Sequence, residues 1–332
     1  MDALREDLTR YAESSVLGAP ALRAALRLAG VTPDAAAWRQ FFDRLLVVAG
    51  ALLVAVGVIF FVAFNWQALG RFAKLGMLEA LVVLPTVYAL LPGVQPLRAK
   101  AALLFAVLVL GGLLALVGQT YQTGADNYEL FVAWALLALP WVLAAQWPPL
   151  WAVWWTLVNL ALALYLFQVL DPLRILLSER MRPSAIALLN LAGLAAAEFA
   201  YQRVAALRTP WLARYCALLL LGSAGFSALV FVLGDAGLTR GYAPGFLLYC
   251  ACIAGGAWYY QKVRRDLFPL AAGIVSLIVV LTGWMGRYMV IDGGSGAFFG
   301  LMLLAALVIG ATVGATWWLR ELNRKWHMEP AA

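Results

Sequence analysis

Ala101–Val117, AALLFAVLVLGGLLALV, runs straight into Gly118–Glu129, GQTYQTGADNYE, and this junction decides the class of the protein. The first part has no charged or amide side chain, and its seventeen residues are about the shortest stretch that crosses a bilayer core as a helix. The second part is the longest polar run between the first and last apolar spans. It holds amides, hydroxyls, two carboxylates, two phenols and two glycines, and neither Lys nor Arg. A second apolar run, Leu130–Ala145, leaves it. The chain crosses lipid, surfaces, and goes back in.

The rest of the chain repeats the pattern. Of the 332 residues, 64% are hydrophobic and only 12% charged. A soluble domain has about half its residues apolar and about a quarter charged, so lipid is the solvent for most of this chain. The 14 Trp fit a preference for the membrane interface. Apolar runs predict spans at 45–64, 73–92, 101–118, 130–147, 149–170, 184–200, 212–233, 243–260, 268–286 and 297–319. The expected fold is an all-α, polytopic transmembrane helical bundle of about ten spans. Residues 1–44 are expected to form a cytoplasmic helical cap, 45–319 the bundle and 320–332 a cytoplasmic tail. Thr32-Pro33-Asp34 suits the start of the helix that enters the membrane, with Thr32 as N-cap. The first forty-four residues lack an apolar signal-like core, so insertion is expected to begin with the first span.

Charge sets the orientation. With the N-terminus inside, seventeen of the 24 Lys and Arg fall in inner segments, which predicts both termini in the cytoplasm. The discordant segment is 171–183, with Arg174, Arg180 and Arg182 on the outer side. The net charge of +7 therefore records topology and not nucleic-acid binding. Cys216, Cys250 and Cys252 lie in apolar runs without a C-x-x-C, and the single histidine, His327, is in the tail. No metal site, histidine-based nucleophile or cofactor is expected.

Phe61-Val62-Ala63-Phe64-Asn65-Trp66-Gln67, then Lys74-Leu75-Gly76, then Gly118 to Asp126, form a recognisable set. The chain resembles a widespread group of bacterial predicted membrane proteins, a domain of unknown function. The resemblance covers roughly residues 35 to 165, and the remainder by hydropathy alone. It implies a bacterial cytoplasmic (inner) membrane and a helical polytopic fold. It implies no activity.

In the charge-derived topology Asn65-Trp66-Gln67 and the Gly118–Glu129 stretch share the outer face. Amides and hydroxyls both donate and accept, so such a set can replace a hydration shell or grip a polar solute. Asn65, Trp66, Gln67, Gln119, Thr120, Tyr121, Gln122, Thr123 and Asp126 are the candidate ligand-binding residues. Glu79 joins them, because a carboxylate within a span is expected to face the bundle, be paired, or be protonated. Thr123, Asp126 or Asn127 also suits an N-cap for the following span. Asn159 and Asn190 suit interhelical hydrogen bonding, and Glu198 is expected to reach the headgroups. Gly310-x-x-x-Gly314 is expected to pack inside the bundle. The leading functional expectation is binding or transport of a small polar solute or cation at the outer face. A structural or assembly subunit, docked to another membrane protein through the cap, is the alternative. An enzyme on lipid-linked substrates is the third.

Overall fold

The computed structural model describes residues 11–12, 18–29, 34–65, 67, 69–122, 124–168, 181–234, 236–288 and 297–328. Among them the regular structure is entirely helical. The helices are α1 (Ala19–Leu28), α2 (Ala35–Phe64), α3 (Arg71–Leu90), α4 (Leu97–Tyr121), α5 (Asn127–Ala145) and α6 (Pro148–Gln168). They continue with α7 (Arg182–Arg203), α8 (Pro210–Leu233), α9 (Ala236–Lys262), α10 (Leu267–Gly286) and α11 (Ala297–Met328). A 3-10 turn, Ala205–Leu207, links α7 to α8. Nine of the described helices are long and apolar enough to cross a membrane: all of these except α1 and α9. Proteins of this kind are built from helices because lipid offers no partner to an open backbone group.

The chain divides into two compact units, Met1–Thr120 and Tyr121–Ala332. In the first, α4 is the most enclosed span, with half of its apolar window buried. Its Gly112 lies so close to α2 that a Cβ there would stand 3.3 Å from Ile59 Cγ1. Asp34, and not the expected Thr32, is the N-cap of α2 and accepts a 2.7 Å bond from the Ala37 amide. Thr32 and Pro33 lie outside the described residues. From that cap α2 runs 30 residues without a break. At 1.5 Å per residue this is about 45 Å, more than a bilayer core needs. The expected boundary at residue 44 thus falls inside a continuous helix. Trp38, Phe41 and Phe42 form an exposed aromatic group in its first turns, with centroids 5.5–5.9 Å apart. Aromatic rings of this kind favour the interface.

In the second unit successive helices run antiparallel. Gln146 adopts a left-handed conformation (φ 44°), which closes α5 and turns the chain into α6 within two residues. The Trp154 indole then donates back to the Ala135 carbonyl at 2.9 Å. At the opposite end Tyr128 and Tyr165 meet edge-on at 5.2 Å. Asn190 ties α7 to α6: its Oδ1 accepts from Trp155 Nε1 at 3.0 Å and its Nδ2 donates to Asn159 Oδ1 at 2.7 Å. Asn190 is only 1% exposed, so these bonds satisfy amides that lipid would leave unmet. The core of α7–α10 gathers Ala187, Leu220, Ala224, Ala228, Tyr249 and Val280.

Helix α9 is the expected span that composition supports least. It is 27 residues long but falls outside the spans that length and composition identify. Pro244, four tyrosines, Trp258 and several glycines dilute its apolar residues. Packing holds it in the unit all the same. Gly245 lies against Ser184 near the start of α7, and Tyr260 reaches Glu198 near the end of α7. The helix therefore crosses the same height as its neighbours.

A candidate lateral groove closed by a buried ion pair

The residues expected to form an outer-face site are mostly exposed. Helix α4 does not stop at Val117 but continues through Gly118, Gln119, Thr120 and Tyr121. Among the described residues of the stretch only 122 and 124–126 are non-helical, so most of the expected loop is helix end. Gln122 (φ 46°) and Gly124 (φ 67°) supply left-handed residues, as helix C-termini commonly require. Asp126 is the N-cap of α5 by position, although its side chain makes no capping bond. Tyr121 is 58% exposed, and Gln119 and Gln122 are exposed. Asn65 closes α2, its Nδ2 donating to the Phe61 carbonyl at 2.9 Å, and Gln67 is exposed. Glu79 is exposed on α3 and faces away from the packed interior. Trp66 and Thr123 lie outside the described residues.

The chemistry gathers instead at the end of the second unit where α7 stops and α10 starts. Glu198, expected at the headgroups, is buried there. Its Oε1 accepts a 2.8 Å bond from the Tyr260 hydroxyl, and its Oε2 forms an ion pair with Arg264. The Tyr259 hydroxyl donates to Oε2 more loosely, at 3.5 Å. The two charged side chains are 10% and 15% exposed. The Arg264 guanidinium also sits 4.0 Å from the Tyr201 ring centroid, within cation–π range. Burial works against the charge on Arg264, but the hydrogen bond and charge of Glu198 outweigh it and raise its pKa above the usual guanidinium value. Beside it Arg214 grips Asp266 with two bonds of 3.0 Å, while Asp266 also caps α10 through the Phe268 amide. These bonds pin the turn between α9 and α10 to the ends of α7 and α8.

A groove of about 540 Å³ opens between α7, α8 and α9 and ends on this cluster. Leu191, Leu194, Leu220 and Leu248 give it apolar walls, and Glu198, Gln202 and Tyr259 form its polar end. Its volume lies in the range of small-molecule sites. The groove exists because α9 contributes Ala251, Gly255 and Gly256 where larger side chains would fill it. A Cβ on Gly255 or Gly256 would meet nothing within 4 Å. Exposed Arg203 stacks at 5.3 Å over Phe199, which lines the groove, and Lys262 is exposed one turn beyond Tyr259. The polar end is therefore flanked by two cations. Among the described residues no cluster of His, Cys, Asp and Glu has the make-up of a metal site.

The sequence signal for this place was weak. Glu198 lies more than sixty positions from both Tyr260 and Arg264, and a carboxylate near a span end has a commonplace reading at the headgroups.

The first part of the chain carries a family likeness. Residues 9–151 match the model of a family described as predicted membrane protein (DUF2157). The match starts earlier than the expected resemblance, inside the polar prelude, and stops at the beginning of α6. The groove and the buried ion pair thus lie beyond the matched segment. No curated protein and no solved structure matches the chain.

Proposed function

We propose that this membrane protein holds an anionic phospholipid in the groove between α7, α8 and α9. The observation that carries the reading is the end of the groove: apolar walls lead to Gln202 and Tyr259, with Arg203 and Lys262 beside them. An acyl chain fits the walls, and an anionic headgroup meets the cations, each worth about 1 kcal/mol near a membrane surface. The Glu198–Arg264 pair is internally neutral and serves as the floor. The test is native mass spectrometry after detergent release from mixed phosphatidylglycerol and phosphatidylcholine. Wild type retains phosphatidylglycerol selectively. Gly255→Leu, which projects into the groove, removes the bound lipid. Arg203→Gln removes the preference but leaves lipid bound. Equal retention of lipid by wild type and Gly255→Leu overturns the reading. Solute transport through Asn65, Gln67, Glu79, Gln119, Gln122 and Asp126 draws no support from the geometry: Gln67, Glu79, Gln119, Gln122 and Asp126 are each exposed, and the Asn65 amide bonds to its own helix.

The groove then lies at the cytoplasmic side of a bacterial inner membrane, with both termini inside. The charge bias supports this, and so does the clustering of Arg203, Arg208, Arg214, Lys262, Arg264 and Arg265 at one end of the second unit. In a Cys-free background, a cysteine at Ala125 should react with an impermeant thiol reagent added outside whole cells. Cysteines at Gln95 and Val263 should react only after permeabilisation. Outside labelling at Val263 reverses the orientation.

A further inference from the structure

Helix α1 is too short to span a membrane, and its two sides differ. Its ten residues, Ala19–Leu28, start with Pro20 in the first turn and include no acidic side chain. At 3.6 residues per turn Arg23 and Arg27 share one side, and Ala25 points directly away from them. Ala21, Leu22, Leu28 and Ala29 lie beside Ala25, with Leu26 at the margin. Both arginines are exposed, and Arg23 Nε donates to the Ala19 carbonyl of its own helix at 3.3 Å. No Asp or Glu occurs between Glu13 and Asp34, so the stretch is purely cationic. No residue of α1 is buried, and Leu28 is 90% exposed. A helix of this length is marginal by itself in water, so it needs a surface for its apolar side.

The start of α2 points to which surface. Six residues join Leu28 to Ala35, and they span at most about 21 Å. One turn into α2, the exposed rings of Trp38, Phe41 and Phe42 mark the level of the membrane interface. The tether therefore keeps α1 close to the lipid headgroups. We infer that α1 lies flat on the membrane surface beside the start of α2, with Ala25 and its leucine neighbours in the acyl boundary and Arg23 and Arg27 among anionic phospholipid headgroups. Charge and shape agree on this partner. A helix with one apolar and one cationic side lies in the interface plane, and an anionic leaflet attracts each arginine. This docking is independent of the groove beside α9 and of which side of the membrane the N-terminus occupies.

The test is power-saturation electron paramagnetic resonance on the full chain in nanodiscs of phosphatidylcholine with phosphatidylglycerol. A spin label is attached through a genetically encoded ketone side chain at Ala24 or Ala25, which leaves Cys216, Cys250 and Cys252 in place. Ala24 flanks the arginines and Ala25 opposes them. The label at Ala25 should be relaxed mainly by oxygen, which concentrates in lipid, and the label at Ala24 mainly by a water-soluble nickel complex. Each arginine should be worth about fivefold in the ratio of docked to free helix. Arg23→Gln with Arg27→Gln should thus lower that ratio about twentyfold or more, and pure phosphatidylcholine should shift it the same way. Three results overturn the inference. Nickel access at both positions places α1 in water. Exclusion of both reagents at Ala25 means that protein covers the apolar side, from this chain or a second copy. Equal docking in neutral and anionic lipid removes the role of the arginines. The comparison of Ala24 with Ala25 keeps both arginines, so it stands even if the double variant fails to fold.

Discussion

Replacing Gly193 with alanine is expected to destabilise the protein by about 1–3 kcal/mol, despite the better helix former it introduces. Two effects oppose one another. Alanine for glycine in a helix interior contributes up to about 1 kcal/mol through propensity. Against it, a Cβ at 193 would lie 2.2, 2.5 and 2.9 Å from three ring atoms of Trp155. Such distances force the indole to move. The indole has little freedom to do so, because its Nε1 is bonded to Asn190, and Asn190 is bonded in turn to Asn159 and to the Ile186 carbonyl. Displacing Trp155 therefore opens a buried amide network, where each lost partner costs about 1–3 kcal/mol. The clash and the network act together and outweigh propensity. Gly310→Ala is the control, since its Cβ meets nothing within 4 Å. It should be neutral or slightly stabilising. Thermal unfolding in one detergent compares the two. A Gly193→Ala protein that melts at or above wild type removes the claim that Trp155 is locked.

The same glycines show what a sequence can and cannot say about this fold. Spans are legible because hydropathy is a local property: seventeen apolar residues from Ala101 to Val117 cannot be anything else in a chain with this composition. Tight packing is not local. Gly310-x-x-x-Gly314 reads as an internal packing motif, yet a Cβ on either glycine would meet nothing within 4 Å. The tightest approaches among the described glycines fall at Gly193, Gly245 and Gly283, which no spacing rule singles out. Their partners, Trp155, Ser184, Ser227 and Leu229, belong to other helices. The intramembrane amides were legible in kind, since Asn159 and Asn190 do join two helices. That Trp155 completes their network follows only from the α6–α7 register. The polar run after Val117 was misread in extent. Gln and Tyr prolong a helix readily once it has begun, so α4 continues to Tyr121 and the loop shrinks. Glu79 and Glu198 exchanged expectations: the deep carboxylate is exposed on α3, and the one near a span end is buried in an ion pair.

That ion pair carries the second large effect. Glu198→Ala is expected to destabilise the protein by about 3–5 kcal/mol, because it leaves the Arg264 guanidinium in a buried place without its counter-charge. Arg264→Ala should cost a similar amount, leaving the Glu198 carboxylate with only Tyr260 and a loose bond from Tyr259. The pair as a whole need not be strongly stabilising, since desolvating two charges offsets much of their attraction. The double variant Glu198→Gln with Arg264→Gln therefore discriminates. It removes both charges, keeps polar groups for the tyrosine hydroxyls, and should be clearly more stable than either alanine variant. Arg264→Lys should restore charge but not stability, because a lysine ammonium cannot lie flat on Tyr201 as the guanidinium does at 4.0 Å. The exposed pair Arg324–Glu321 on α11 gives the scale for a bond that contributes little: 68% and 24% exposed, it should change stability by no more than about 1 kcal/mol when broken. Urea or thermal unfolding of these variants, with the double-mutant cycle computed from them, measures the coupling. A coupling near zero between Glu198 and Arg264 would mean that water reaches the pair, and the groove would then lack the dry, fixed floor on which lipid binding depends.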